Sequence, residues 1–353
     1  MTSIFDLDTP AVLVDLDKAE VNLKNAQMAA DKAGIKLRPH IKTHKLPRFA
    51  KRQVELGAVG ITVQKLGEAE VMADAGLSDL LLTFNIVGAK KLARLKALHE
   101  RVTIRVVADS TETVTGLADT FGDAGRPLGV LVECDTGMGR CGVQSPEAAL
   151  ALARTILAAP GLDFAGLMTY PASGKYHEAA QWLADAKALF DDEGVALPEI
   201  TTGGTPDIWH MSEAGVATEY RPGTYIYMDR SQVVAGAASF EQCALTVLAT
   251  VVSRPTDGRA IIDAGSKTLT SDLLGMQGFG YVLDFPDAKI VGLSEEHGTL
   301  DVSACARKPR IGDTVRIVPN HCCPVSNLFD TVTLVRGNEV LETVPVAARG
   351  RVD

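Results

Sequence analysis

The chain has 353 residues, 46% hydrophobic and 22% charged, enough for one large domain and a smaller second one. Its formal net charge of −9 is spread without blocks of one sign, which argues against a nucleic-acid or anionic-membrane partner. Neither a signal peptide (the opening is Met1-Thr2-Ser3-Ile4-Phe5-Asp6) nor an apolar run long enough to span a bilayer is visible, so a cytoplasmic protein with mostly reduced cysteines is expected.

The first predicted element is a strand at Ala11–Leu16, followed by a helix at Lys18–Lys32. From about Gly34 to Tyr227, short β-branched runs alternate with longer amphipathic, Ala/Leu-rich ones, the rhythm of βα units around a parallel sheet. The predicted strands are Ile35–Ile41, Val59–Val63, Leu80–Phe84, Thr103–Ala108, Gly129–Cys134, Phe164–Thr169, Glu199–Thr202 and Glu219–Tyr227. Between them the pattern predicts helices at Leu46–Leu56, Gly67–Ala75, Ala89–Leu98, Thr111–Phe121, Pro146–Ala158 and Tyr176–Asp192. Eight strands with helical crossovers fit a (β/α)8 TIM barrel. After about Met228, alternating segments such as Leu245–Val252, Ala260–Ile262 and Thr331–Val335 are punctuated by Gly, Pro and Asp, with no helix of convincing length. This predicts a barrel over residues 17–230 and a smaller β-rich domain built from 1–16 and 231–353, with the Ala11–Leu16 strand pairing into the latter.

In a barrel, chemistry collects at the C-terminal ends of the strands. Reading just past each predicted strand gives Lys42, Gln64, Asn85, Asp109, Asp135 with Arg140, Tyr170, Gly203-Gly204-Thr205 and Tyr225. Polar loops explain half of this. They do not explain a lysine, an arginine, a tyrosine and a double glycine on one rim. Lys42 stands between His40 and His44; desolvation and neighbouring imidazoles would favour the free amine that forms a Schiff base, while a solvated lysine is the plain alternative. Thr202-Gly203-Gly204-Thr205-Pro206-Asp207 precedes a predicted short helix and can cradle a phosphate, to which Tyr225 could add its hydroxyl; a tight turn is the alternative. Arg140 could donate to a cofactor's ring nitrogen or be an ordinary loop arginine. In Pro319-Asn320-His321-Cys322-Cys323-Pro324, an extended backbone would turn His321 and Cys323 to one face as two metal ligands; a turn with buried cysteines is the alternative.

Together these residues resemble the family of D-threonine aldolases, D-serine dehydratases and 3-hydroxy-D-aspartate-processing enzymes among the fold type III pyridoxal-phosphate enzymes. The resemblance rests on Asp8-Thr9-Pro10, Arg38-Pro39-His40-Ile41-Lys42-Thr43-His44-Lys45, Gln64-Lys65, Gly139-Arg140-Cys141-Gly142-Val143, Thr202-Gly203-Gly204-Thr205, Arg221-Pro222-Gly223-Thr224-Tyr225, Asp263-Ala264-Gly265, Glu296-His297-Gly298 and Pro319-Asn320-His321-Cys322-Cys323, in order over nearly the whole chain. It implies an alanine-racemase-like barrel followed by a β-domain, usually in a homodimer. It implies pyridoxal phosphate on Lys42 rather than Lys45, within a cofactor site of His40, Gln64, Arg140, Tyr170, Thr202, Gly203, Gly204, Thr205 and Tyr225. It also implies a divalent metal, zinc or manganese, on His321 and Cys323. The activity expected is aldol cleavage of a D-3-hydroxy amino acid to glycine and an aldehyde, with metal-bound water or His177 taking the hydroxyl proton. The alternatives are a dehydratase using the same parts, a pyridoxal-phosphate-binding protein without turnover, or a racemase.

Overall fold

A computed structural model describes residues 2–353. Contacts group the chain into two units, Met1–Lys24 with Thr43–Lys45 and Thr224–Gly350, and Asn25–Lys42 with Leu46–Gly223 and Arg351–Asp353.

The second of these units is a (β/α)8 barrel. Its eight strands are Lys36–Leu37, Ile61–Val63, Asp79–Leu82, Thr103–Ala108, Leu128–Cys134, Leu162–Thr169, Ile200–Thr202 and Glu219–Tyr220. All neighbours in the sheet run parallel, the eighth strand pairs with both the seventh and the first, and a bridge between His40 and Thr62 joins first to second. The sheet therefore closes. The middle strands are almost continuously apolar, as expected where both faces are covered. Ser110 and Ser145 cap the helices Thr111–Phe121 and Pro146–Ala158, each accepting from an N–H in the first turn.

Two predicted strands are much shorter than their sequence runs. Ile35–Ile41 shrinks to Lys36–Leu37 because Pro39 has no N–H to give the ladder, and Ile41–Thr43 winds into a 3-10 turn. Glu219–Tyr227 stops at Tyr220, since Pro222 and Gly223 follow and Thr224–Ile226 is another 3-10 turn. Both truncations fall at the mouth of the barrel, where loops are needed.

Inward-facing side chains form layers. At the N-terminal end lies an ion cluster: Arg38 contacts Glu219 at 2.6 Å and Asp79 at 2.7 Å, and Arg105 contacts Glu199 at 2.9 Å. Above it Leu81, Val107, Leu131 and Met168 pack as an apolar plug. The next layer up is polar and carries the candidate site.

In the other unit, strand Ala11–Asp15 lies between Leu245–Thr256, to which it is antiparallel, and Thr331–Arg336, to which it is parallel. Thus the amino-terminal strand is built into the C-terminal sheet, as its pattern predicted. Ile4, Leu13, Leu248 and Val335 make a core there. Contrary to expectation, this unit contains a two-turn helix, Cys322–Leu328, with His321 at its N-cap. Among the described residues no helix is long and apolar enough to cross a membrane.

Candidate functional site

Lys42 sits half-buried in the 3-10 turn that ends the first barrel strand. Its backbone N–H donates to His40 Nδ1 at 3.3 Å, which makes that nitrogen the acceptor. The proton then resides on Nε2, which donates to Gln64 Oε1 at 3.0 Å, and Gln64 Nε2 donates to the Thr83 carbonyl at 2.9 Å. His40 and Gln64 thereby fix the turn carrying Lys42 from two neighbouring strands. The Lys42 ammonium lies 5.8 Å from the centre of the Tyr170 ring, and the Arg140 guanidinium 5.4 Å from the same ring. Lys42, Tyr170 and Arg140 are therefore brought together, as the rim residues predicted.

The loop after the seventh strand has the form of an anion cradle. Gly203 has φ +92°, and a Cβ there would stand 2.3 Å from the Tyr220 ring; one on Gly204 would meet Tyr170 at 3.0 Å. Both glycines are buried, yet among the described residues neither N–H donates to any group of the chain. Two adjacent buried, unsatisfied N–H groups are costly unless an anion takes them. The Gly204 carbonyl is held by the Tyr220 hydroxyl at 3.0 Å. The helix expected to open here is only a 3-10 turn, Ile208–Glu213, so the cradle rests on loop N–H groups rather than a helix terminus. Thr202 and Thr205 flank the glycines and are buried. These residues fit a phosphate, and with Lys42 and Tyr170 they fit pyridoxal phosphate.

His177 is placed differently from its neighbours in the prediction. Its side chain is 67% exposed at the start of helix Tyr176–Asp192, 3.6 Å from Glu213 and against Tyr176. Its loop is instead tied down through Asp207, which accepts the Gly174 N–H at 3.2 Å.

Two residues of the polar layer were given no site role from the sequence. Arg221, buried behind the eighth strand, donates to the Thr169 carbonyl and, at 2.8 Å, to Thr201 Oγ1; burial pushes it down to about 10. Glu133 is 5% exposed, and burial pushes it up to about 7 against the opposing pull of Arg140. A single acid inside the apolar run Leu128–Cys134 was the available signal.

The other unit holds the sulfur and imidazole donors. His321 and Cys323 are neighbours, but not through strand alternation: His321 is the extended N-cap and Cys323 lies in the first turn of the helix. Burial would lower the imidazole, but Cys323 and then Asp272 lift it to about 9. Asp272 holds Nδ1 at 2.8 Å, so Nε2 is the nitrogen turned to other partners, the usual orientation of a metal-ligating histidine. Cys323 Sγ lies 3.2 Å from the hydroxyl of Thr43 and 3.7 Å from that of Thr224. Among the described residues no group of three or more His, Cys, Asp or Glu could hold a metal; the donor pair fits a softer divalent ion with water or substrate completing its shell. Tyr225 belongs to this unit and is buried in the Thr224–Ile226 turn.

Comparison with known proteins gives consistent results. Residues 14–231 match the family described as alanine racemase, N-terminal domain, and residues 244–335 the putative serine dehydratase domain. The chain is 36% identical to a D-threonine aldolase of Arthrobacter sp., over 98% of this chain and 93% of that one. It is 31% identical to a D-threo-3-hydroxyaspartate dehydratase of Delftia sp., over 97% of each. The crystal structure of D-threonine aldolase from Filomicrobium marinum superposes with a TM-score of 0.91 at 34% identity, covering 99% of this chain and 98% of that one. A cysteine-to-alanine variant of a D-threo-3-hydroxyaspartate dehydratase, described as the metal-free form, superposes at 0.85 with 29% identity, covering 98% and 99%.

Proposed function

Since the chain belongs to the D-threonine aldolase and D-serine dehydratase family of alanine-racemase-like pyridoxal-phosphate enzymes, and is thus a lyase acting on a small amino acid, we propose that it cleaves D-3-hydroxy amino acids to glycine and an aldehyde. Bound pyridoxal phosphate supplies an electron sink at Cα, and a divalent ion supplies a Lewis acid for the β-hydroxyl. The chain's own residues do the rest. Lys42 holds the cofactor on a turn fixed by His40 and Gln64, the Gly203 and Gly204 N–H groups take its phosphate with Thr202 and Thr205 beside them, and Tyr170 and Arg140 wall the ring. His321 and Cys323 hold the metal, zinc or manganese, and Asp272 orients the imidazole. In this reading residues 17–230 carry the cofactor, residues 1–16 and 231–353 carry the metal, Tyr225 is a further candidate donor to the phosphate, and the working form is a homodimer.

One observation carries the reading: Cys323 lies against Thr43, the residue that follows Lys42 in the chain. Within the β-rich unit the thiol suits a softer divalent ion, the Lewis acid that a β-hydroxyl needs. The closer match of the aldolase, in identity and backbone, supports carbon–carbon over carbon–oxygen cleavage. The dehydratase reading has one observation of its own, a metal-free cysteine variant among the dehydratases, which suits the thiol at Cys323.

The test incubates purified protein with D-threonine and D-serine, with and without a chelator. Glycine with acetaldehyde, lost on chelation, is expected. A 2-oxo acid and ammonia without aldehyde would establish the dehydratase instead. Lys42→Ala is expected to release all cofactor absorbance after borohydride treatment and dialysis; retention would remove Lys42 from its role.

A further inference from the structure

We propose that Asn320 is a positioning residue of the donor pair: its buried side-chain amide holds the loop of residues 271–278 where Asp272 meets His321, and so sets the imidazole for a metal ion. This rests on the functional reading above, in which His321 and Cys323 hold a divalent metal.

The geometry is a closed ring within the β-rich unit. Asn320 is 1% exposed and immediately precedes His321 in the chain. Its Nδ2 donates to the Asp272 carbonyl at 3.1 Å and to the Gly278 carbonyl at 2.8 Å, so one amide ties the two ends of the loop together. The Asp272 carboxylate returns to His321 Nδ1 at 2.8 Å. Asp272 is therefore held at its main chain by one residue and at its side chain by the next. Arg230 completes the clamp, because its Nη1 donates to Asn320 Oδ1 at 3.0 Å and to the Gln277 carbonyl at 2.8 Å. With its nitrogen and its oxygen both engaged, the amide can face only one way. The main chain around the imidazole is gripped too. The Asp229 carboxylate accepts the Cys322 N–H at 2.9 Å, and the Ser231 N–H donates to the Asn320 carbonyl at 3.2 Å.

The loop needs such a clamp. Leu273 and Leu274 are exposed, so packing contributes little to where it lies. Thr270 at φ +67° and Leu274 at φ +47° sit in the left-handed region. That costs a non-glycine residue on the order of 1–3 kcal/mol and persists only where the surroundings over-determine it. Among the described residues, the side chains from outside residues 270–278 that hydrogen-bond to this loop are those of Asn320, Arg230 and His321. Without the Asn320 amide, the loop is free to carry Asp272 off the imidazole. His321 then keeps its place in the chain but loses the partner that turns Nε2 outward. Removing the group that orients a ligating histidine weakens metal binding by about 10–100-fold.

The experiment strips the purified enzyme of metal with a chelator, keeping its pyridoxal phosphate, and measures the dissociation constants of zinc and of manganese by titration calorimetry. Melts of the metal-free proteins confirm that each variant folds. For the ion that the wild type takes up, Asn320→Ala and Asp272→Ala should each weaken binding by about 10–100-fold. The double variant should lose no more than the larger single loss, because both changes free the same imidazole. A residue that merely fills space would instead multiply its loss with that of Asp272→Ala. If Asn320→Ala does not fold, Arg230→Met takes its place in the same cycle. It leaves the amide in the chain and should weaken binding by about three- to tenfold, with part regained in Arg230→Lys. Wild-type affinity in the clamp variant tested, or losses that multiply in the double variant, overturns the proposal and leaves the metal reading intact. A wild type that takes up neither ion overturns both.

Discussion

His177 is a candidate by its place in the loop after the sixth strand, and not by a motif. It follows a tyrosine-bearing loop at a strand end, and an imidazole there invites a role in proton transfer. The structure gives it Glu213 at 3.6 Å, a tyrosine ring to lean on, and solvent. An exposed polar contact of this kind contributes about 0–1 kcal/mol. His177→Ala should therefore leave kcat within about twofold and stability within about 1 kcal/mol. A hundredfold loss of kcat with an unchanged melt would return His177 to the reaction. Lys42 and Tyr170 were legible because a strand end followed by a loop fixes where a residue goes. His177 was not, because its loop is held by a distant carboxylate, Asp207, that no local pattern reveals. Glu133 was missed for a related reason: its surroundings, Arg140, Asp109 and Arg221, come from other strand ends, and spacing along one strand cannot show them.

At the scale of elements, the strands central to the barrel and their helices were nearly all readable, and Thr111–Phe121, Pro146–Ala158 and Tyr176–Asp192 fall where their patterns end. Strands one and eight were over-extended because an apolar run continues past Pro39 and Pro222 while the ladder cannot. The helix at Cys322 was hidden by Pro324 and the paired cysteines; the segment read as extended backbone, with a turn as the alternative. Two elements carry predictions. In the phosphate loop, Gly203→Ala sets a Cβ into the Tyr220 ring at φ +92°, so a loss of about 2–3 kcal/mol and weaker binding of pyridoxal phosphate are expected in a melt and a cofactor titration. Unaltered values for both would show that the loop does not cradle the cofactor. At the other end of the barrel, burial would raise Glu219, but Arg38 and then Arg105 hold it below the ordinary carboxylate range. Burial and the neighbouring Glu219 charge push Glu199 the other way, so Glu219 is the ionised centre of the cluster. Its contribution is present in full above the unfolded carboxylate value, about 4.3, and is lost as pH falls through the lower folded value. Glu219→Gln leaves Arg38 short of its buried partner and should cost about 3–5 kcal/mol at neutral pH. Denaturant melts should show that gap narrowing below about pH 4, where the wild type also loses the charge; a gap independent of pH would mean that packing, not charge, holds the barrel floor.

For the whole molecule, the order of the chain is not the order of its units. The β-rich unit takes its strand Ala11–Asp15 from the amino terminus and most of the rest from beyond Thr224, so the entire barrel sequence is threaded between two partners in one sheet. That strand is hydrogen-bonded on both edges and buries Val12, Leu13 and Val14. At about 1.5–3 kcal/mol for each fully buried aliphatic side chain, the three together contribute roughly 5–9 kcal/mol, comparable to the whole stability of an ordinary domain. Removal also exposes two apolar strand edges, Leu245–Thr256 and Thr331–Arg336, of the kind that pair with other chains. Deleting residues 2–15 should therefore unfold the β-rich unit and drive the chain to aggregate, even though the lysine turn and the phosphate loop are untouched. The check is circular dichroism and sedimentation of the truncated protein beside a variant in which only Leu13→Ala is made. The point variant should remain soluble and lose about 2–5 kcal/mol, as a single buried leucine does. A truncated chain that stays soluble with wild-type β signal would mean that the C-terminal segment completes its sheet alone, and that the amino-terminal strand is an addition to it rather than part of it.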